Sequence, residues 1–122
     1  MNRRGEAGEQ AARKFLEKKG YCVVSTNYRS RFGEIDIIAT TRQYIVFVEV
    51  KTRSVGAIAR PMEFVDRPKQ RRIQKTAMLY LASHPTSLQP RFDVIEVLAE
   101  EKKNTIRHLQ NAFGAEDEYA AF

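Results

Sequence analysis

The chain has 122 residues, 43% hydrophobic and 30% charged, with a formal net charge of +6. That length holds one modest core, and the composition excludes a disordered or fibrous chain. No apolar run approaches the roughly 18 residues that span a bilayer, and the basic start at Met1-Asn2-Arg3-Arg4 leads into Gly-Glu-Ala-Gly-Glu rather than a secretory apolar segment.

From Arg4 to Lys19 the residues Ala7, Ala11, Ala12, Phe15 and Leu16 recur at helical spacing, and Gly20 stands where a C-terminal cap belongs. The short β-branched and aromatic run Tyr21–Thr26 reads as a strand. Within it Cys22, the only cysteine, reads as a small buried hydrophobe; one cysteine excludes an intrachain disulfide and fits a reducing cytoplasm. A polar connection, Asn27-Tyr28-Arg29-Ser30-Arg31, leads to a second strand from about Phe32 to Ala39, and residues 40–43 form a turn. Tyr44–Lys51 is the most apolar run in the chain and predicts a central strand covered on both faces. A loop from Thr52 to about Val65, containing Gly56 and Pro61, precedes a helix with Asp66 as N-cap, Pro68 in its first turn and the stripe Ile73, Ala77, Tyr80 and Leu81. His84-Pro85 ends that helix, and strands follow at Phe92–Leu98 and Thr105–Leu109. The order α-β-β-β-α-β-β implies a single α/β domain, a mixed sheet of about five strands flanked by helices. Residues 1–114 form the expected domain and 115–122 an acidic C-terminal tail.

Charge is unevenly spread. Between Arg53 and Arg91 eight basic residues stand against Glu63 and Asp66, a balance equal to the net charge of the whole chain. Such a block suggests a polyanionic partner, nucleic acid before membrane, or else a solvated helix face. Lys69, Arg72 and Lys75 share one side of the second helix, where they can hold a phosphate backbone, and Arg53 stands at the block's start. Arg29 and Arg31 alternate with Tyr28 and Phe32, a mixture that can grip a backbone and stack on a base, or anchor the connection to the core.

Side chains of equal parity share a strand face, which groups Glu34, Asp36 and Ile38 on the second strand and Phe47, Glu49 and Lys51 on the third. Charges near the end of so apolar a strand are costly unless paired, hydrated or bound to a cation. The short turn at 40–43 makes the strands neighbours and can bring Asp36 across from Glu49. Converging carboxylates repel, and Mg²⁺ or Mn²⁺ relieves that repulsion while holding phosphate oxygens. Lys51 can orient a water and offset charge on a phosphate in hydrolysis. The competing account is an ordinary ion-pair ladder, which leaves one of its two acids without a base. Glu9 falls at the edge of the first helix's buried side, where it can look into a site on the sheet, and Glu34 is a possible accessory acid. Gly5 and Gly8 in that helix suit a close approach of backbone or phosphate. His84 and His108 are isolated and read as surface or structural.

Gly33-Glu34-Ile35-Asp36, the run Phe47-Val48-Glu49-Val50-Lys51-Thr52-Arg53 and the later Arg91-Phe92-Asp93-Val94 together resemble the YraN-like family of small bacterial proteins. That family looks like a branch of the restriction-endonuclease-like nucleases, whose motif is an acid, a spacer and Asp/Glu-x-Lys. The resemblance implies a restriction-endonuclease-like mixed sheet and a Mg²⁺- or Mn²⁺-dependent nuclease acting on DNA, including branched or repair intermediates. Asp36, Glu49 and Lys51 match the catalytic acid, second acid and lysine, and Glu9 the first-helix acid of resolvase-like members, which often dimerise. The proline that precedes the first acid in that superfamily is replaced here by Ile35. The rival expectation is a nucleic-acid-binding module that keeps the fold without cleavage.

Overall fold

The computed structural model describes residues 3–54, 65–100 and 102–114. Among these the elements are α1 (Arg3–Lys18), β1 (Cys22–Arg29), β2 (Glu34–Thr40), β3 (Tyr44–Ser54), α2 (Arg67–Ser83), β4 (Gln89–Ala99) and β5 (Asn104–Phe113). The chain forms the expected single α/β domain, with a five-stranded sheet in the order β1-β2-β3-β4-β5. Only the β3–β4 pair is parallel; the other neighbours are antiparallel. The loop expected at Gly56 and Pro61, and the acidic tail from residue 115, lie outside the described residues. No described helix is long and apolar enough to cross a membrane.

Each helix covers one face of the sheet. On the α1 side Ala12, Leu16 and Tyr21 pack with Ile37, Ala39, Val46, Val48, Ile95 and Val97. On the α2 side Ile73, Ala77 and Tyr80 pack with Ile38, Ile45, Phe47, Phe92 and Val94. β3 therefore sends Phe47 to one core and Val46 and Val48 to the other, as period-2 alternation requires for a strand buried on both faces.

α1 ends as Gly20 predicts. Gly20, at φ 94°, donates to the Glu17 carbonyl (3.0 Å) while Tyr21 donates to Leu16 (3.0 Å), the double bond of a glycine-terminated helix. Its buried stripe differs from expectation: Gly8, Ala12 and Leu16 face the sheet and Ala7 is exposed. The helix is rotated because Gly8, with no side chain, lies at the point of closest approach. An added Cβ at Gly8 would overlap Thr52 Oγ1 on β3.

β1, β3, β4 and β5 run longer than the sequence suggests, whereas β2 begins at Glu34 and leaves Phe32 in the turn before it. Asn27, Tyr28 and Arg29 belong to β1 rather than to a connection, because Tyr28 pairs with Ile35 and Arg29 with Glu34. Thr52 to Ser54 extend β3, held by the parallel pairing with β4 up to Ser54 and Ala99. Cys22 is exposed, not buried, since it opens β1 at the sheet edge. α2 begins as expected, with the Asp66 carboxylate accepting from the Lys69 amide (2.9 Å) and proline in its first turn.

Candidate metal and phosphate site

β2 and β3 pair from Thr40↔Ile45 to Ile37↔Val48 and then diverge. Where the ladder stops, Asp36 takes over: its Oδ2 accepts the Val50 amide at 2.8 Å, so a side chain replaces the next rung. Strict alternation breaks at the same point. Ile35 joins Ile38 on the α2 side although Ile37 between them faces α1, so the grouping of Glu34, Asp36 and Ile38 by parity does not hold through this bend.

Side chains from both helices converge beside this divergence. From α1 comes Glu9, which lies with Glu34 and Asp36 so that one carboxylate oxygen of each falls within 4.8 Å of the others. From α2 comes Lys69, whose ammonium meets Glu49 Oε2; Lys51 Nζ lies 3.3 Å from that same oxygen. Glu49 is only 4% exposed. The ion-pair ladder considered above thus gains a second base, but both bases go to Glu49. Asp36 remains among carboxylates, with a backbone amide as donor.

The electrostatics follow from that division. Burial, then the Glu49 charge, push the Asp36 carboxyl up to about 8, against the pull of the Val50 N–H. Burial also raises Glu9, with Glu34, Glu49 and Glu6 adding repulsion and a hydrogen bond from Asn27 opposing it. Burial lowers the Lys51 ammonium, and so does its neighbour Lys69. Lys69 is pulled down by burial, but its contacts with Glu49 prevail and hold it above its ordinary value. Two lysines on one carboxylate cannot both be fully charged at low cost.

The remaining candidates form a rim. Arg29 Nε meets Glu34 Oε2 at 3.0 Å on the exposed side of the β1–β2 hairpin. Arg31 and Lys75 both lie over the Phe32 ring, at 4.8 and 5.2 Å from its centroid. A Cβ placed on Gly33 would come 3.4 Å from Arg72 Cβ, so the turn packs against α2. Arg53 lies on β3 two residues past Lys51. Lys69 is therefore not part of an outward-facing row with Arg72 and Lys75; its ammonium turns into the carboxylate cluster.

Two contributors were not anticipated. Asn27, at φ 53°, turns its side chain to Glu9 from within β1; an asparagine inside a strand, tolerant of left-handed backbone, is the available sequence signal. Thr52 sets the approach of α1 and hence the position of Glu9. Gly8→Ala tests that link. Alanine in a free helix gains about 1 kcal/mol over glycine, but overpacking costs about 1–3 kcal/mol. The variant should unfold at lower urea; unchanged stability would show that Thr52 swings aside.

A family model described as "Uncharacterised protein family UPF0102" matches residues 8–97. A UPF0102 protein of Alkaliphilus oremlandii is 50% identical over 117 residues, covering 93% of this chain and all of the relative. One from Symbiobacterium thermophilum is 48% identical over 118 residues (94% of this chain, 100% of the relative), and one from Caldanaerobacter subterraneus subsp. tengcongensis 45% over 113 (89% and 93%).

Proposed function

The chain belongs to the uncharacterised protein family UPF0102, and we propose that it is a divalent-metal-dependent nuclease hydrolysing DNA phosphodiester bonds. One observation carries the reading: Glu9, Glu34 and Asp36 converge within 4.8 Å beside a Glu49 that two lysines already engage. The acid, spacer and Glu-x-Lys order of restriction-endonuclease-like enzymes supports it.

The donor set fits Mg²⁺ or Mn²⁺: hard oxygen ligands on three half-buried acids, and more negative charge than nearby cations offset. Such an ion supplies Lewis-acid polarisation of the scissile phosphate and lowers the pKa of water. Asp36, fixed by the Val50 amide, with Glu9 and Glu34 beside it, forms the cradle. Glu49 borders that cradle and orients Lys51 and Lys69. Lys51, lowered by burial, sits where it can take up a proton from an attacking water. Lys69, held charged, offsets the charge that builds on the phosphate. In this reading the protein works in the cytoplasm with DNA as partner. A non-catalytic binding module accounts for the basic rim but gives the converged carboxylates no role.

The test couples metal binding to cleavage. Mn²⁺ should raise the melting temperature by several degrees at pH 8 and far less at pH 5, where protons compete for Asp36 and Glu9. With Mn²⁺ the protein should cut at least one of linear, flapped or four-way DNA, and EDTA should stop it. No metal-induced shift at pH 8 and no cleavage would overturn the proposal. A shift without cleavage, with binding that weakens steeply in salt, would favour the binding module.

A further inference from the structure

The turn that leads into β2 is more tightly built than a hairpin connection requires. Ser30 N–H donates to the Gly33 carbonyl at 2.8 Å, and Phe32 N–H to Ser30 Oγ at 3.0 Å. Ser30 Oγ also lies 2.7 Å from Thr76 Oγ1, whose residue is fully buried in α2. These bonds fix the backbone on both sides of Phe32 and tie it to a helix. Yet Phe32 itself is only half-buried, and its ring is not among the residues packed in either core. Instead it carries the exposed cations of Arg31 and Lys75 over its ring.

A rigidly mounted aromatic, partly open to solvent and overlain by two long exposed cations, can stack a base when those side chains swing from the ring onto the adjoining phosphates. The axial part of its separation from the chemistry is set by α2. Lys69 reaches Glu49 and Lys75 reaches Phe32. Those two lysines lie six residues apart, or about 9 Å along a helix, close to the rise of two or three base steps. A base in a continuous duplex is stacked on both sides and cannot present its face to the ring, whereas an unpaired one can.

We infer that Arg31, Phe32 and Lys75 form a clasp for an unpaired base about two to three nucleotides from the cleaved phosphate, which makes the substrate class DNA with a single-stranded flap, end or junction. The inference rests on the nuclease reading for the word "cleaved", but its binding component stands by itself. Phe32 is on this account a specificity residue, acting on substrate choice and not on the reacting atoms.

The experiment measures binding in EDTA, where cleavage plays no part. The probes are a blunt duplex and the same duplex with a single-stranded flap carrying 2-aminopurine beside the junction. Wild type should bind the flapped probe about tenfold more tightly than the blunt one and quench the 2-aminopurine. Phe32→Ala should abolish the preference and the quenching while leaving blunt-duplex affinity within twofold, and Phe32→Trp should retain both. Phe32→Leu separates stacking from anchoring: it keeps an apolar side chain on the turn but has no π face, so it should behave like Phe32→Ala in binding at unchanged melting temperature. Equal affinity of wild type for the two probes, a uniform loss on both probes in Phe32→Ala, or full retention in Phe32→Leu would each overturn the clasp. If the preference is seen but no metal supports cleavage, the nuclease reading fails and the clasp stands as a binding site.

Discussion

Asp36→Asn should yield a protein that is more stable than wild type without metal at pH 8, no longer stabilised by Mn²⁺, and slower in cleavage by at least about 100-fold. The asparagine carbonyl can still accept the Val50 amide, so the end of the β2–β3 ladder survives the change. What is lost is the charge. In the folded chain the Asp36 carboxyl is raised from the ordinary 3.8 to about 8, by burial first and by Glu49 second. A raised carboxyl adds no penalty when it is protonated in both folded and unfolded states. As pH climbs through the unfolded value, the unfolded chain releases its proton and the folded one does not, so stability falls until the folded value is reached near pH 8. Metal-free wild type should therefore lose stability steadily between about pH 4 and pH 8, on the order of 2 kcal/mol after allowance for the partial exposure of Asp36. The variant should lose most of that slope, with the raised Glu9 carboxyl keeping a smaller one. Urea unfolding in EDTA at several pH values reads it directly, and a wild-type slope unchanged in the variant would remove Asp36 from the argument. Removing a cradle carboxylate should lower turnover at least as much as removing one transition-state hydrogen bond, about 10²-fold or more. Undiminished cleavage would sink the mechanism.

Asp93→Ala should be the more damaging substitution for the fold, by about 3–5 kcal/mol, while leaving Asp36 in place two strands away on β2. Asp93 is fully buried on β4. It accepts Arg91 Nε at 2.9 Å and Nη2 at 2.8 Å, His108 Nε2 at 2.7 Å and the Asn111 amide at 2.9 Å. Arg91 Nη2 also donates to the Tyr21 hydroxyl at 2.7 Å, and His108 Nδ1 lies 3.1 Å from Lys19 Nζ. One carboxylate thus ties β4, β5 and the end of α1 together, and its removal strands a guanidinium only 11% exposed. Against a typical domain stability of about 5–15 kcal/mol this is a large share. Burial pushes the Asp93 carboxyl up, but the hydrogen bonds from His108, Arg91 and Asn111 overcome it and hold it below the ordinary value. The linkage therefore runs opposite to that of Asp36: the stabilisation is present above the unfolded carboxylate pKa and is lost as pH falls through the depressed folded one. Acid unfolding should shift to higher pH in the variant, and a urea midpoint within error of wild type would refute the role.

The parts of this molecule that were legible in the sequence are those set by local rules. Gly20 ends α1 because only a left-handed residue fits there, and Asp66 starts α2 because a carboxylate satisfies a free helix amide. Alternation along β3 assigned Phe47 and Val48 to opposite cores because that strand is regular. Local rules failed where a distant partner decides. Ala7 was placed inside because it has a side chain to bury, yet Gly8 takes that position to admit Thr52. Asn27 to Arg29 are polar but become strand because β2 lies alongside. Cys22 lost its burial to its place at the sheet edge. Lys69 shares a spacing with Arg72 and Lys75, but spacing gives no reach, and its flexible stem extends to Glu49. Asp93 carried the same signal as Glu49, an acid inside an apolar strand, and its partners come from segments no short-range pattern connects.

The parallel pairing at the centre of the sheet also orders the way the chain assembles. β1, β2 and β3 are joined by short turns and can zip as neighbours, whereas Val48 finds Asp93 only after α2 has crossed between β3 and β4. During synthesis Asp36, Glu34 and Glu49 emerge before Lys69, and so spend an interval as hydrated carboxylates on an uncovered meander. Their mutual repulsion is then screened by water, and the step that dehydrates them also delivers Lys69 to Glu49, so burial of the acids and arrival of their counter-charge are timed together by the crossover.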